Sequence, residues 1–473
     1  MSDNSPILLW FRRDLRLSDH PALREASHSG RPVIPVFLHD EVVEAQGACP
    51  KWRLGLGVGA LADALGAKGS RLILRRGGAL ATLRALVAET GAGAVWWTRA
   101  YDPDALTRDK AVKAGLKEDG LDARSFEGHL MHEPFAVETK QGGFYKVYTP
   151  FRRAVAQRSV ATPVSTPGRI LAPDAWPRSD RLEDWELGAA MNRGAEIVGQ
   201  YVNVGEQAAQ GRLAAFIAHR IDGYGEARDL PAVEGTSRLS ENLTYGEISV
   251  RTCWHAGVRA LEEGKRGAET FLKELIWRDF AYHLVYHTPH ITASNWREDW
   301  DRFPWNEDER RAEVKAWKRG RTGIPFVDAA MREMYVTGTM HNRARMIAAS
   351  YLTKHLLTHW RVGLKWFENC LIDWDPASNA LGWQWSAGSG PDATPYFRVF
   401  NPVTQLDRFD KERAYVTRWI AEGQRNPPKE ALQYFDAIPR SWNMSPDDAY
   451  PEPVVSPQEG RQRALEVYGN RDF

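Results

Sequence analysis

Four short apolar runs, at residues 7–11, 33–38, 71–74 and 94–98, punctuate the first hundred residues at near-regular intervals. Between them, residues 21–27, 53–65 and 79–89 repeat apolar side chains at helical spacing. Runs this short, with no polar residue on alternate positions, read as strands covered on both faces, which requires helices packed against a parallel sheet. The order predicts a doubly wound α/β domain over residues 1–130. Gly55-Leu-Gly57-Val-Gly59-Ala60 mimics a dinucleotide-binding glycine pattern. It follows Ala48-Cys-Pro-Lys-Trp52 rather than a strand and lies inside a helical pattern, so it carries no cofactor expectation.

From 131 to 200 the pattern lapses, and prolines at 134, 150, 163, 167, 173 and 177 predict a long surface connector. Helical periodicity then holds through residues 208–220, 247–262, 268–287, 324–334 and 343–359, with no strand-like run. Residues 201–473 are therefore expected to form an all-helical second domain.

Charge narrows the partners. Sixty-two basic residues against 61 acidic ones leave a net charge of +1, which excludes binding nucleic acid by bulk positive charge but permits a local basic rim. Three cysteines, Cys49, Cys253 and Cys370, form no disulfide framework and cannot ligate an iron–sulfur cluster. The apolar run 7–11 is too short for a signal-peptide core and no run of eighteen apolar residues occurs, so a cytoplasmic protein without a membrane span is expected.

Nineteen tryptophans are far more than a core needs, and the densest stretch is Asp373-Trp-Asp-Pro-Ala-Ser-Asn379-Ala-Leu-Gly-Trp383-Gln-Trp385. Carboxylates and amides among indoles suit a pocket for a large planar molecule with a polar edge; the plainer alternative is a Trp-rich interface loop. Gly235-Thr236-Ser237-Arg238-Leu239-Ser240 places hydroxyls and free N–H groups before a helix start, with Thr244-x-x-Glu247 resembling a capping box. Such a turn holds phosphate or is an ordinary helix cap. Glu274, Trp277 and Arg278 share one helix face, as do Asn342, Arg345 and Met346. Asp279, His283 and His287 mimic a metal set, although two turns of one helix rarely supply every ligand, and no metal is expected.

Trp10-Phe-Arg-Arg-Asp-Leu-Arg-Leu-Ser-Asp19, Glu234–Ser240, Glu274-Leu-Ile-Trp-Arg278, Met340-His-Asn-Arg-x-Arg-Met346 and Gly382-Trp-Gln-Trp385, followed by Asp392-Ala-x-Pro-Tyr-Phe-Arg-x-Phe-Asn-Pro402, together resemble the DNA photolyase/cryptochrome family, most closely its class I cyclobutane pyrimidine dimer photolyases. The resemblance spans the chain and implies an antenna domain, a connector and a helical domain holding FAD. It implies that Tyr224, Thr236, Ser237, Arg238, Leu239 and Ser240 grip the phosphates and ribitol, and that Arg278, Asn342, Arg345, Asp373, Asp375 and Asn379 surround the rest. Arg345 would pair with Asp373, and Asn379 would face the flavin N5.

The implied activity is blue-light-driven repair, in which reduced FAD passes an electron to a pyrimidine dimer flipped out of UV-damaged DNA. Trp277 and Trp385 would flank the dimer, Glu274 and Asn342 would bond its edges, Met346 would lie against it, and Arg228, Arg343 and Arg398 would contact phosphates. Trp383, Trp360 and Trp305 would carry electrons to the flavin. The alternative is a photoreceptor of the same fold; Asn379, Met346 and the absence of a long polar tail after Tyr468 are read toward repair. Asp104-Ala105 stands where some members hold folate, so the antenna is methenyltetrahydrofolate, 8-hydroxydeazaflavin, another flavin, or absent. Trp374-Asp375-Pro-Ala-Ser378 reads more like the plant-cryptochrome-related branches. A monomer is expected.

Overall fold

The structure is a computed structural model that describes residues 4–473; residues 1–3, the start of the acidic terminus, lie outside it. Five parallel strands, β1 (Ile7–Phe11), β2 (Val33–His39), β3 (Ile73–Arg76), β4 (Ala94–Thr98) and β5 (Asp122–Phe126), form a sheet in the order β3-β2-β1-β4-β5. The register sets Ile7 beside Val33 on one side and beside Ala94 on the other. Side chains of β1 alternate between two cores: Ile7, Leu9 and Phe11 enter one, Leu8 and Trp10 the other. A strand so placed has no solvent face, which explains its unbroken apolar run.

β5 and the Pro103–Glu118 helix before it extend the sheet beyond the four strands read from the sequence. β5 pairs only with β4. As an edge strand it tolerates Asp122, Arg124 and Ser125, so its apolar signal is weak. The glycines 55, 57 and 59 lie within the Ala48–Gly66 helix, where an added Cβ at Gly55 or Gly57 would come within 2.9 Å of Leu187 or Leu15. They serve close packing.

The second half is helical, with two main cores. One gathers around Ala268–His287 and Val250–Glu262, the other around Pro325–Thr337 and Trp360–Cys370. The Pro376–Ala387 helix lies between them: Ala377 and Leu381 belong to the first core, Ala380, Trp383 and Ala387 to the second. Anchored on two sides, it offers a third stripe to the interior of the domain.

Two expected helices differ at their ends. The helix read as 247–262 begins at Val250, because Ser249 caps it by accepting the N–H of Thr252 at 3.0 Å. The capping box expected of Thr244 and Glu247 does not form: the Thr244 hydroxyl donates to the Asp373 carbonyl, and Glu247 pairs with Arg53. The helix read as 343–359 spans Asn342–Ser350, loosens into a π-helical turn at Tyr351–His355, and is broken at Leu357, whose φ is +47°. His359 then caps a new helix, Trp360–Cys370.

The arginine-rich segment after β1 joins the two halves. Arg13 donates to the Thr244 carbonyl at 2.8 Å, Arg16 to the Gly246 and Gly128 carbonyls, and Asp19 pairs with Arg251 at 2.8 Å. On the next face Arg53, fully buried, is shared between Glu247 and Glu241. Buried guanidinium groups require carboxylate partners, and here those partners lie in the other half.

The connector is not merely a surface strand. It forms a helix at Tyr148–Val155 and packs on Ala268–His287, with Val137, Phe151 and Val155 buried. No helix among the described residues is long and apolar enough to cross a membrane.

Candidate functional site

The free stripe of the Pro376–Ala387 helix carries Asn379, Gly382 and Trp385. Asp375 caps the helix by accepting the Ser378 N–H at 2.8 Å, and the Asn379 amide donates back to the Asp375 carbonyl at 3.1 Å. That bond uses the Asn379 side-chain nitrogen and leaves its carbonyl oxygen as the acceptor available to a ligand. Gly382 is exposed, and a Cβ there would meet nothing within 4 Å. Open space therefore lies over Gly382, three residues along the helix from Asn379.

Asp375 is buried, which raises its pKa, but Arg13, Arg278 and the Tyr282 hydroxyl outweigh burial and hold it below the usual carboxylate range. Neither Arg13 nor Tyr282 was singled out from sequence for this site. Tyr282 was within reach, since it lies four residues beyond Arg278 on the same helix.

Asp373 faces Arg345, whose Nη2 contacts both carboxylate oxygens at 2.9 and 2.8 Å while its Nε donates to the Met340 carbonyl. The pair brings together the start of the Asn342–Ser350 helix and the loop before Pro376. Asn342 is exposed at that start, its amide 3.9 Å from the Met346 sulfur. Arg343 instead pairs with Asp229 at 2.7 Å and lies over Phe409.

The phosphate-type turn is preserved as a turn. Gly235 is packed so tightly on Ala227 that a Cβ would lie 2.5 Å from its neighbour's, and Arg238 has φ +53°. A left-handed residue followed by the right-handed Leu239 forms a turn that directs successive N–H groups toward one side, a geometry suited to anions. The N–H groups of Thr236, Ser237 and Arg238 have no acceptor among the described residues. Leu239 and Tyr224 are buried beneath the turn; Arg238 and Ser240 are exposed, the former pairing with Glu234 at 3.2 Å.

On the Ala268–His287 helix, Glu274 pairs with Arg228, and Trp277 is half-buried. Arg278 turns toward the α/β half, donating to the His129 carbonyl at 2.8 Å. Arg398 is exposed beside Phe397, and the buried Lys354 ammonium holds the Arg398 carbonyl at 3.1 Å.

The supposed metal set has another task. Asp279 accepts the N–H groups of Met131 and His132, His283 accepts that of Tyr145 at 3.1 Å, and His287 bonds the Pro134 carbonyl. Three side chains spaced four apart clip the connector to the helix. Among the described residues no group of three or more metal-type ligands comes together.

Trp383, Trp360 and Trp305 are all buried in the helical half. Trp383 is buried with its benzo edge in a notch left by Gly363, where a Cβ would lie 2.0 Å from the ring. Trp360, one turn earlier on that helix, donates to Asn295 at 2.8 Å. His359 lies between Trp360 and Trp305, with ring centroids 5.4 and 5.2 Å away. Trp305 donates to the Thr353 carbonyl and packs on Trp300. Trp317 is fully buried edge-on to Trp383.

A cavity of about 330 Å³ opens at the carboxyl ends of β1 and β4, where the strand order reverses. Open α/β sheets bind ligands at such points. Arg12, Arg13, Asp102, Asp104 and Arg108 line it together with Phe37, Val43 and Trp374.

The fold defines a two-domain protein, an α/β half joined to a helical half that gathers these polar groups around the Pro376–Ala387 helix. The donor set fits FAD: unused N–H groups for phosphates, an arginine–carboxylate clamp, and an amide beside open space over Gly382. The family models agree. Residues 7–168 match the DNA photolyase model and residues 271–470 match the FAD-binding domain of DNA photolyase. The chain is 44% identical to a deoxyribodipyrimidine photo-lyase of Agrobacterium fabrum, over 98% of each chain, and 34% identical to that of Escherichia coli, again over 98% of each. Among solved structures, a bacterial class III photolyase from Agrobacterium tumefaciens superposes with a TM-score of 0.90 at 42% identity, covering 99% of this chain and 98% of that one. A Synechocystis cryptochrome superposes at 0.84 with 26% identity, covering 99% of this chain and 100% of that one. The chain belongs to the DNA photolyase/cryptochrome family, and its helical half is that family's FAD-binding domain.

Proposed function

We propose that this protein repairs cyclobutane pyrimidine dimers in DNA under blue light. When bound and excited, reduced FAD supplies the electron that opens the cyclobutane ring. The chain's own residues bind, orient and exclude water. Thr236, Ser237 and Arg238 present N–H groups to phosphates; Arg345, Asp373, Asp375 and Asn379 fix the ring system; Trp277, Trp385 and Met346 form an apolar wall for the extruded bases. Glu274, held by Arg228, and Asn342 stand at the rim, where hydrogen bonds to the pyrimidine edges fix its orientation. Arg228, Arg343 and Arg398 form a local basic rim on a chain with almost no net charge.

The observation that carries this reading is Asn379. Its Nδ2 donates to the Asp375 carbonyl, which leaves the side-chain oxygen for a ligand, and a carboxamide has no acidic proton to release, as a repair flavin kept anionic requires. The class is read as III rather than I, on the whole-chain likeness to the Agrobacterium structure and the Trp374-Asp375-Pro-Ala-Ser378 segment. The cavity at the carboxyl ends of β1 and β4 is read as the seat of an antenna chromophore; the archaeal photolyase from Sulfolobus tokodaii, 28% identical, is described with two FAD molecules.

Reduced protein irradiated with an oligonucleotide carrying one thymine dimer tests the reading. Restoration of the paired thymines in light and not in darkness is expected. Bound FAD without light-dependent restoration points instead to a photoreceptor.

A further inference from the structure

Trp277 is covered on one face by Tyr148. The rings lie 5° from parallel with centroids 3.6 Å apart, the tightest aromatic stack in the described residues, and Phe280 meets both edge-on. Tyr148 itself is held at three points. Its hydroxyl donates to the Lys273 carbonyl at 2.9 Å, its backbone N–H donates to Asp392 at 3.1 Å, and the segment before it is clipped to the same helix by His283. Asp392 lies on the loop before Arg398, in a left-handed conformation of φ +50°. It caps the Tyr148–Val155 helix, which has no cap from its own preceding residue.

An indole on an open wall samples several rotamers, and a ligand that stacks on it must first order it. A ring fixed behind it removes that cost. We propose that Tyr148 is the positioning residue for Trp277: it holds the indole so that the uncovered face is presented to the flipped pyrimidine dimer, and Asp392 couples this stack to the Arg398 loop. This rests on the reading of Trp277 as a wall of the lesion pocket. The residue lies in the connector, within the match at residues 7–168 and outside the match to the FAD-binding domain at 271–470, and no role in the site follows from its sequence position.

The test measures binding of an oligonucleotide with one thymine dimer, and of its undamaged twin, to FAD-loaded protein in the dark. Tyr148→Leu is expected to weaken dimer binding about three- to tenfold, the range one aromatic stack supplies, with undamaged-DNA binding and FAD absorbance per protein unchanged. Tyr148→Phe, which keeps the ring, is expected to restore most of the affinity. On a Trp277→Leu background, Tyr148→Leu is expected to add nothing. Should Tyr148→Leu lose FAD, Asp392→Ala carries the same test with a smaller expected loss. Wild-type affinity in Tyr148→Leu, tighter binding from removing the ring, or an undiminished loss on the Trp277→Leu background would each overturn the proposal. Wild-type protein that does not prefer dimer DNA would instead overturn the lesion pocket itself, and the two failures are distinct.

Discussion

Arg345 and Asp373, 28 residues apart in sequence, meet with a single guanidinium nitrogen 2.8 and 2.9 Å from the two carboxylate oxygens. Asp373 is buried and Arg345 partly so. Breaking a buried pair by removing one partner costs about 3–5 kcal/mol, because the other charge stays unpaired. Partial exposure of Arg345 places this pair at the low end. Arg345→Leu is expected to lower FAD retention at least tenfold and to reduce the melting temperature; the ratio of visible to ultraviolet absorbance after purification reads the first effect.

The Gly363 notch predicts a substitution whose packing cost outweighs its gain in helix propensity. Alanine ordinarily favours a helix over glycine by about 1 kcal/mol. Here its Cβ would sit 2.0 Å from the Trp383 ring, so the indole must move, and overpacking costs about 1–3 kcal/mol. Gly363→Ala is expected to destabilise the protein in denaturant melts despite the gain in helix propensity.

Trp383→Phe keeps the volume nearly filled and removes the indole. Photoreduction of oxidised cofactor is expected to slow about tenfold or more, while repair by chemically pre-reduced protein is retained. Time-resolved absorbance with and without prior reduction separates the two; equal loss of both would contradict the assigned role.

Asp279 predicts a pH dependence. Burial pushes its carboxyl up to about 7, against the opposing pull of Arg278 and the N–H groups of His132 and Met131. Because the folded value lies above the unfolded one, its contribution to stability is complete below about pH 4 and is lost as the pH rises to 7, by up to about 1.4 kcal/mol per pH unit. Asp279→Asn is expected to flatten the stability profile between those values, measured as denaturant midpoints at several pH values. An unchanged slope would show that the carboxyl titrates normally.

Much of this architecture was legible in the chain because buried strands and amphipathic helices write their periods plainly. β1 and β4 match their apolar runs, and Ala268–His287 coincides with its period. The edge strand Asp122–Phe126 was not legible, since one exposed face lets polar residues in. Nor was the break at Leu357, where the apolar period continues through a change of direction. The site residues are visible as odd mixtures of type, but their pairing is not. Nothing local joins Arg13 to Asp375, Tyr148 to Trp277, or Asp279 to the connector's backbone. Such contacts depend on segments a hundred or more residues apart, and their periodicity carries no trace of the partner.

The most direct measurement compares two lesions side by side: pre-reduced protein, blue light, and oligonucleotides carrying either a thymine cyclobutane dimer or a (6-4) photoproduct, each with a dark control. The account predicts loss of the cyclobutane dimer in light alone and no change in the (6-4) lesion. Persistence of the dimer under light with FAD bound, or equal loss of both lesions, would contradict it.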